Sequence, residues 1–312
     1  MQNNIARVEH LSHRYTTSWA VNDINFEISN RGVLGLLGSN GAGKSTTMNI
    51  MCGVLNQTTG EIWINDINLR KNPKDAKRII GFLPQVAPLH LDLTIDEYLI
   101  HCAYLRLIVP DHIPSALAEV KERCGITQFS KRIIRNLSGG YRQRVGIAQA
   151  IIHKPKLVVL DEATNGLDPI QILEVRKLIQ EIGEERSVIF SSHILPEVQA
   201  TCKDIIMIER GKIVFSDSMD VFNNYIKPDN LIVKMDSPPA MQDLKILPGV
   251  TKVEKLEEHS FRLQFEDVRH LTQQFIIQSL EGGWQLTEIY LEKSSLDEIF
   301  AQLSNSGKKN TN

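Results

Sequence analysis

The chain has 312 residues, 42% apolar and 23% charged, which is ordinary globular composition and long enough for two domains with cores of their own. Its 35 basic and 37 acidic residues leave a formal charge of −2 and no long basic run, which speaks against a nucleic acid partner. The apolar runs fall far below the roughly 18 residues that cross a bilayer, the start lacks a signal-type apolar stretch, and Cys52, Cys102, Cys124 and Cys202 are too scattered for a zinc site or disulfide framework, so a cytoplasmic protein with buried thiols is expected.

Up to about residue 220 short strand-like runs mix with amphipathic helices, the pattern of an α/β domain. The apolar run 33–37 predicts a buried strand. It leads into Gly38, Ser39, Asn40, Gly41, Ala42, Gly43, Lys44, Ser45 and Thr46, a G-x-x-x-x-G-K-[ST] phosphate-binding loop before a helix-like stretch. Its glycines let successive N–H groups turn inward around phosphates, Lys44 supplies a point charge, and the Ser45 hydroxyl is placed to ligate magnesium. A further strand is expected at 79–83, just before Gln85. Between 91 and 136 the pattern turns helical, opening on the capping box Thr94-Ile95-Asp96-Glu97.

Leu137-Ser138-Gly139-Gly140-Tyr141 comes next. Ser138 can cap a helix whose opening N–H groups make a second phosphate site, and Tyr141, Val145, Ala148 and Ile152 run down one face of it until Pro155. The run 157–160 predicts a buried strand ending in Asp161 and Glu162. A carboxylate at the carboxyl end of such a sheet is costly to bury unless it meets a cation, which makes Asp161 the candidate magnesium ligand, direct or through water. Glu162 is the candidate general base toward a γ-phosphate. Asp168 suits the N-cap, and Pro169 the first turn, of a helix with Ile172, Val175, Ile179 and Ile182 on its core face and Gly183 at the expected C-cap. The strand expected at 187–190 places His193 at the same sheet edge as Asp161.

Near Pro228 a linker is expected, and a small α+β domain after it. Leu231, Val233 and Met235 alternate, as do Phe261, Leu263 and Phe265. Leu271, Phe275 and Leu280 mark a helix ended by Gly282 and Gly283. A capping box at Ser295 and Glu298 starts a last helix with Leu296, Ile299, Phe300 and Leu303 on one face. The expected organisation is therefore 1–222 with a helical subdomain at about 91–153, then 223–304, then a polar tail 305–312.

In combination and in this order, the motifs over about residues 5–220 resemble those of the ATP-binding-cassette (ABC) superfamily. The resemblance implies a P-loop NTPase fold, a mixed sheet core with a helical subdomain. Ser138, Gly139 and Gly140 match its signature sequence, with Tyr141 where the usual residue is Gln, and Asp168 matches its D-loop. Ala163 stands where Pro is usual. These departures bear on the signature's outer contact with the partner's nucleotide and on the stiffness of the turn after the base. The resemblance implies that His193 contacts the γ-phosphate and attacking water, that Gln85 senses magnesium and the γ-phosphate, and that Tyr15 stacks on adenine. Tyr15 or the nearby Trp19 is also readable as an ordinary surface or core aromatic.

The C-terminal portion is similar to that of ABC-2 type exporter ATPases, among them drug, sodium and gliding-motility-associated systems. Implied cofactors are ATP and Mg2+. Each motif occurs once, so the resemblance also implies a second nucleotide-binding subunit, as in a homodimer, and a separate transmembrane permease that places the protein on the inner face of the cell membrane. The other reading is a soluble ABC ATPase acting on a non-membrane complex. A small-molecule P-loop kinase would leave Ser138 to Tyr141 and His193 without purpose.

Overall fold

The computed structural model describes residues 4–225, 230–265 and 268–292. Two compact units divide between Phe222 and Asn223.

The first unit is α/β and is built on two sheets. Strands β1 (Asn4–Tyr15), β2 (Ser18–Ser29), β4 (Thr59–Ile64) and β5 (Ile67–Asn68) form an antiparallel sheet in the order β2-β1-β4-β5. Six further strands, β3 (Gly32–Leu37), β6 (Ile80–Leu83), β7 (Leu157–Asp161), β8 (Ser187–Ser192), β9 (Asp204–Glu209) and β10 (Lys212–Ser218), form the sheet β10-β9-β3-β8-β7-β6. Its strands run parallel except for the β9–β10 hairpin. Every residue of β7 and β8 is buried, as the continuous apolar runs demand of strands covered on both faces. All four strands expected from apolar runs are present, with β6 starting at Ile80 rather than Ile79.

Helix α1 (Lys44–Met51) follows β3 and lies between the sheets. Met48, Ile50 and Met51 share one core with Val8, Leu11 and Ile62 of the antiparallel sheet and Leu157, Val159 and Ile206 of the parallel one. Helix α2 (Pro73–Arg78) precedes β6. The helical segment carries α3 (Ile95–Leu105), α4 (Ile113–Arg123) and α5 (Gly139–Ile151). Both halves of the Thr94–Glu97 capping box form. Helices α6 (Pro169–Glu185) and α7 (Leu195–Thr201) pack on β3 and β8, with Val175, Ile179 and Ile182 buried as the apolar stripe requires. Gly183 is not the C-cap: α6 runs on to Glu185 and Arg186 caps it. A Cβ at 183 would sit 2.6 Å from Val33 Cγ2, so this glycine serves close helix–strand approach. Helix α8 (Met219–Tyr225) follows β10, and Phe222 meets Phe215 edge-on with ring centroids 5.3 Å apart.

The second unit holds an antiparallel sheet of β11 (Asn230–Met235), β12 (Val250–Glu257), β13 (Ser260–Phe265) and β14 (Leu286–Leu291) in the order β12-β13-β11-β14. With it are α9 (Met241–Lys245) and α10 (Val268–Glu281). Leu231, Val233, Met235, Phe261, Leu263, Phe265 and Phe275 form its core, so the expected alternation holds. Leu280 departs from expectation: it is 77% exposed, so the buried face of α10 includes Phe275 but not Leu280. The capping box at Ser295 and Glu298, its apolar face, and the tail lie outside the described residues.

Candidate functional site

The carboxyl ends of β3, β7 and β8 lie side by side, because β3 pairs with β8 and β8 with β7 in parallel register. What each strand carries past its end therefore meets the others, as open α/β sheets place ligands. After β3 the loop turns through Gly41 (φ 81°) and Gly43 (φ 111°), angles that side chains other than glycine's rarely accept. At Gly43 and Gly38 a Cβ would stand 2.5 Å from the Ala20 carbonyl and 2.4 Å from that of Ile208, so both glycines are also demanded by close backbone approach.

Lys44 opens α1 with its side chain only 4% exposed. Its ammonium donates to the carbonyls of Gly38 at 2.9 Å and Ser39 at 3.1 Å, which curls the loop around it. Burial pushes its pKa down, and the negative charges of Glu162, Asp161 and Glu209 pull the other way. Ser39 Oγ donates to Glu209 Oε2 at 2.8 Å. The loop is thus held by groups other than a ligand.

Asp161 ends β7 and is 2% exposed. Ser191 Oγ, from β8, donates to Asp161 Oδ1 at 2.6 Å and accepts from the Glu162 N–H at 2.9 Å. Glu162 itself takes φ 49°, a left-handed backbone that is uncommon outside glycine. Gln85 Nε2 donates to Glu162 Oε2 at 2.8 Å and Asn165 Nδ2 to the same oxygen at 3.2 Å. On the other oxygen, Oε1, His193 Nδ1 lies at 3.4 Å and Lys44 Nζ at 3.9 Å.

These groups line one cavity of about 510 Å³, together with Ala20, Asn40, Gly41, Gly43, Ser45 and Thr46. Asp161 is not in the lining, so it would reach an ion in the cavity through water. Tyr15, at the end of β1, is 51% exposed and packs edge-on against His13, outside the lining. Trp19, 46% exposed, lies under the Arg14 guanidinium. Ser138 caps α5 through Tyr141 N, and Asp168 caps α6 through Gln171 N at 2.9 Å. Ser138, Gly139, Gly140 and Asp168 do not reach the cavity. A Cβ on Gly140 would meet Gln171, so signature and D-loop are neighbours of each other.

The residues fit a magnesium ion. Asp161 keeps one carboxylate oxygen bonded to Ser191, while Gln85 donates through its amide nitrogen and so leaves its amide oxygen to accept. With the Ser45 hydroxyl these are hard oxygen donors, the set that holds magnesium alongside substrate phosphates. Sequence reasoning did not single out Ser191, Asn165 or Ala20. Ser191 had a signal: a strand ending in two acids needs a donor on its neighbour, and the residues just before His193 are two serines.

The chain is similar to proteins of known family. The family model described as "ABC transporter" matches residues 21–165. A bacitracin transport ATP-binding protein of Bacillus licheniformis, BcrA, is 31% identical over 97% of this chain and 98% of its own length. The linearmycin resistance ATP-binding protein LnrL of Bacillus subtilis is 34% identical over 67% of each. Among solved structures, cbiO1 of Clostridium perfringens, part of the ABC transporter complex cbiONQ, superposes with a TM-score of 0.65 at 27% identity, covering 72% of this chain and 92% of cbiO1.

Proposed function

Since the chain belongs to the ABC transporter ATP-binding family, we propose that it drives export of a substrate through a separate transmembrane permease. As a member it is an ATPase and an ATP-powered subunit of transport. Among the described residues no helix is long and apolar enough to cross a membrane, so a translocation pathway would be another chain's contribution. A transport protein matched along nearly its full length and a resistance protein support the export direction.

One observation carries the mechanism: Lys44, Gln85, Glu162 and His193, from four separate stretches of chain, face a single cavity at the sheet edge. In this reading the loop N–H groups and Lys44 bind the phosphates of ATP. Glu162 accepts a proton from the attacking water, and His193, 3.4 Å from Glu162, orients that water and the γ-phosphate. Ser45, Gln85 and Asp161 would hold magnesium, which when bound neutralises phosphate charge. Tyr15 is the proposed adenine contact. Ser138, Gly139, Gly140 and Asp168 serve the site of a second subunit, so two copies of this chain would close head to tail on ATP.

Glu162→Gln keeps the shape and removes the base. Turnover should fall by about 10² to 10⁴ while the ATP-bound dimer accumulates. Hydrolysis at the parental rate would show that Glu162 is not the base. Purification from membranes should bring down a multi-span protein with this chain, and a chain that never associates with one would exclude the permease.

A further inference from the structure

Behind the cavity a carboxylate that takes no direct part in the reading above joins the two turns that do. Glu197 lies in α7, is 6% exposed, and accepts two hydrogen bonds on one oxygen. Thr164 Oγ1 and Ser192 Oγ each donate to Glu197 Oε2 at 2.8 Å. Thr164 is two residues past Glu162, in the turn closed by Asn165 N–H on the Glu162 carbonyl at 3.0 Å. Ser192 directly precedes His193, and its Oγ also accepts from the Ile194 N–H at 3.0 Å, which shapes the turn bearing the histidine. One buried oxygen thus ties the turn bearing Glu162 to the turn bearing His193.

We infer that Glu197 is a positioning residue for hydrolysis, holding the Glu162 and His193 turns at their working separation through Thr164 and Ser192. A buried carboxylate needs donors, and both of these come from catalytic turns rather than from its own helix. Apart from Glu197, the Ser191 hydroxyl links the ends of β7 and β8 behind the Glu162–His193 contact of 3.4 Å. Ser191 fixes the Glu162 backbone, and Gln85 and Asn165 hold its other carboxylate oxygen, but none of them touches the histidine's turn beyond β8. Without Glu197 the two turns are joined only through Ser191 at the strand ends, and loss of about an ångström of alignment can cost on the order of 10²-fold in rate.

This inference rests on the proposed roles of Glu162 and His193, and the experiment separates the two. Single-turnover hydrolysis, KM for ATP and the stoichiometry of ATP bound per chain are measured on the full-length parent, E197A, E197Q, T164V and E162Q. Glu197→Ala should lower kcat by about 10- to 100-fold with KM and ATP stoichiometry unchanged. Glu197→Gln, whose amide oxygen can still accept both hydroxyls, should restore most of the rate. Thr164→Val, which keeps the side chain's shape, should lower kcat in the same sense, and the double variant T164V/E197A should be no slower than E197A. Parental kcat in E197A overturns the inference. If E197A loses ATP stoichiometry because it folds poorly, T164V decides: parental kcat there overturns it. An inactive E162Q beside a fully active T164V and E197A rejects Glu197 alone, whereas an active E162Q rejects the reading on which it rests.

Discussion

Ser191 shows how much a single hydroxyl can hold. It satisfies one oxygen of the buried Asp161 and the N–H of Glu162, the residue with strained backbone. Ser191→Ala would leave both without that partner, and a buried group stripped of its hydrogen bond costs about 1–3 kcal/mol. The urea midpoint should fall accordingly, and ATPase activity with it, because the Glu162 backbone loses its anchor. His153 sets a pH dependence. Burial, reinforced by Arg106, lowers its pKa from the ordinary 6.5 to about 4, while its Nε2 lies 3.1 Å from the Ile80 carbonyl. The unfolded chain therefore binds this proton more readily than the folded one, and the contribution of neutral His153 is lost as pH falls from 6.5 toward 4, on the order of 3 kcal/mol. In His153→Gln, stability measured by urea unfolding should depend less steeply on pH across that window. At this scale the loop glycines, Lys44, Asp161 at the end of β7 and Glu162 just past it were legible because their chemistry demands fixed spacing. Glu197 was not, and Ser191 was marked only as one of two serines before His193, since a hydroxyl or carboxylate acquires its role from whatever the fold sets beside it.

Among elements, legibility followed periodicity. Strands β3, β7 and β8 stood out as short apolar runs, and α3, α5 and α6 by their caps, whereas β9 and β10 were passed over. Strands β1 and β2 were passed over although each has 12 residues. Their pairing slips register between Asn4 and Ala6 and again at three later points, and each bulge breaks the period of two by which a half-buried strand is recognised. The β4–β5 and β9–β10 hairpins turn on Asn65-Asp66 and Arg210-Gly211, with positive φ at both residues of each turn. Only the second pair includes a glycine. Contacts between elements also reassign glycines. Gly81 of β6 stands where a Cβ would lie 2.0 Å from the backbone carbonyl oxygen of Ala150 in α5, so Gly81→Ala must push helix and strand apart. We expect a loss of about 1–3 kcal/mol in urea unfolding, with weaker ATPase because α5 carries Ser138 at its start. A substitution without effect would mean that α5 does not approach β6 so closely.

For the whole molecule, the separation of Ser138 from the cavity has a direct consequence under the proposed head-to-tail dimer. Lys44→Ala disables a chain's own loop, and Ser138→Arg disables what it offers its partner. Each variant alone should be inactive. A mixed dimer retains one intact site, joining the loop of the Ser138→Arg chain to the signature of the Lys44→Ala chain. If chains pair at random in a homodimer, an equimolar mixture should recover about a quarter of parental ATPase activity. No recovery on mixing would mean that the sites are not shared in this way.

By itself the sequence determined the family's motif order, the apolar strands beside the glycine-rich loop and before Asp161, and a change of character near residue 223, where the two compact units divide. Those features are local: a strand, a turn and a helix start are encoded within a few consecutive residues, and the loop's chemistry tolerates little variation. Only the tertiary structure decided that Gln85, Asn165, His193 and Lys44 meet at the Glu162 carboxylate, and that Ser191 and Glu197 hold the turns that bring them there. Their spacing in sequence reaches well over a hundred residues, and parallel pairing of β3, β8 and β7 is what sets their distances in space.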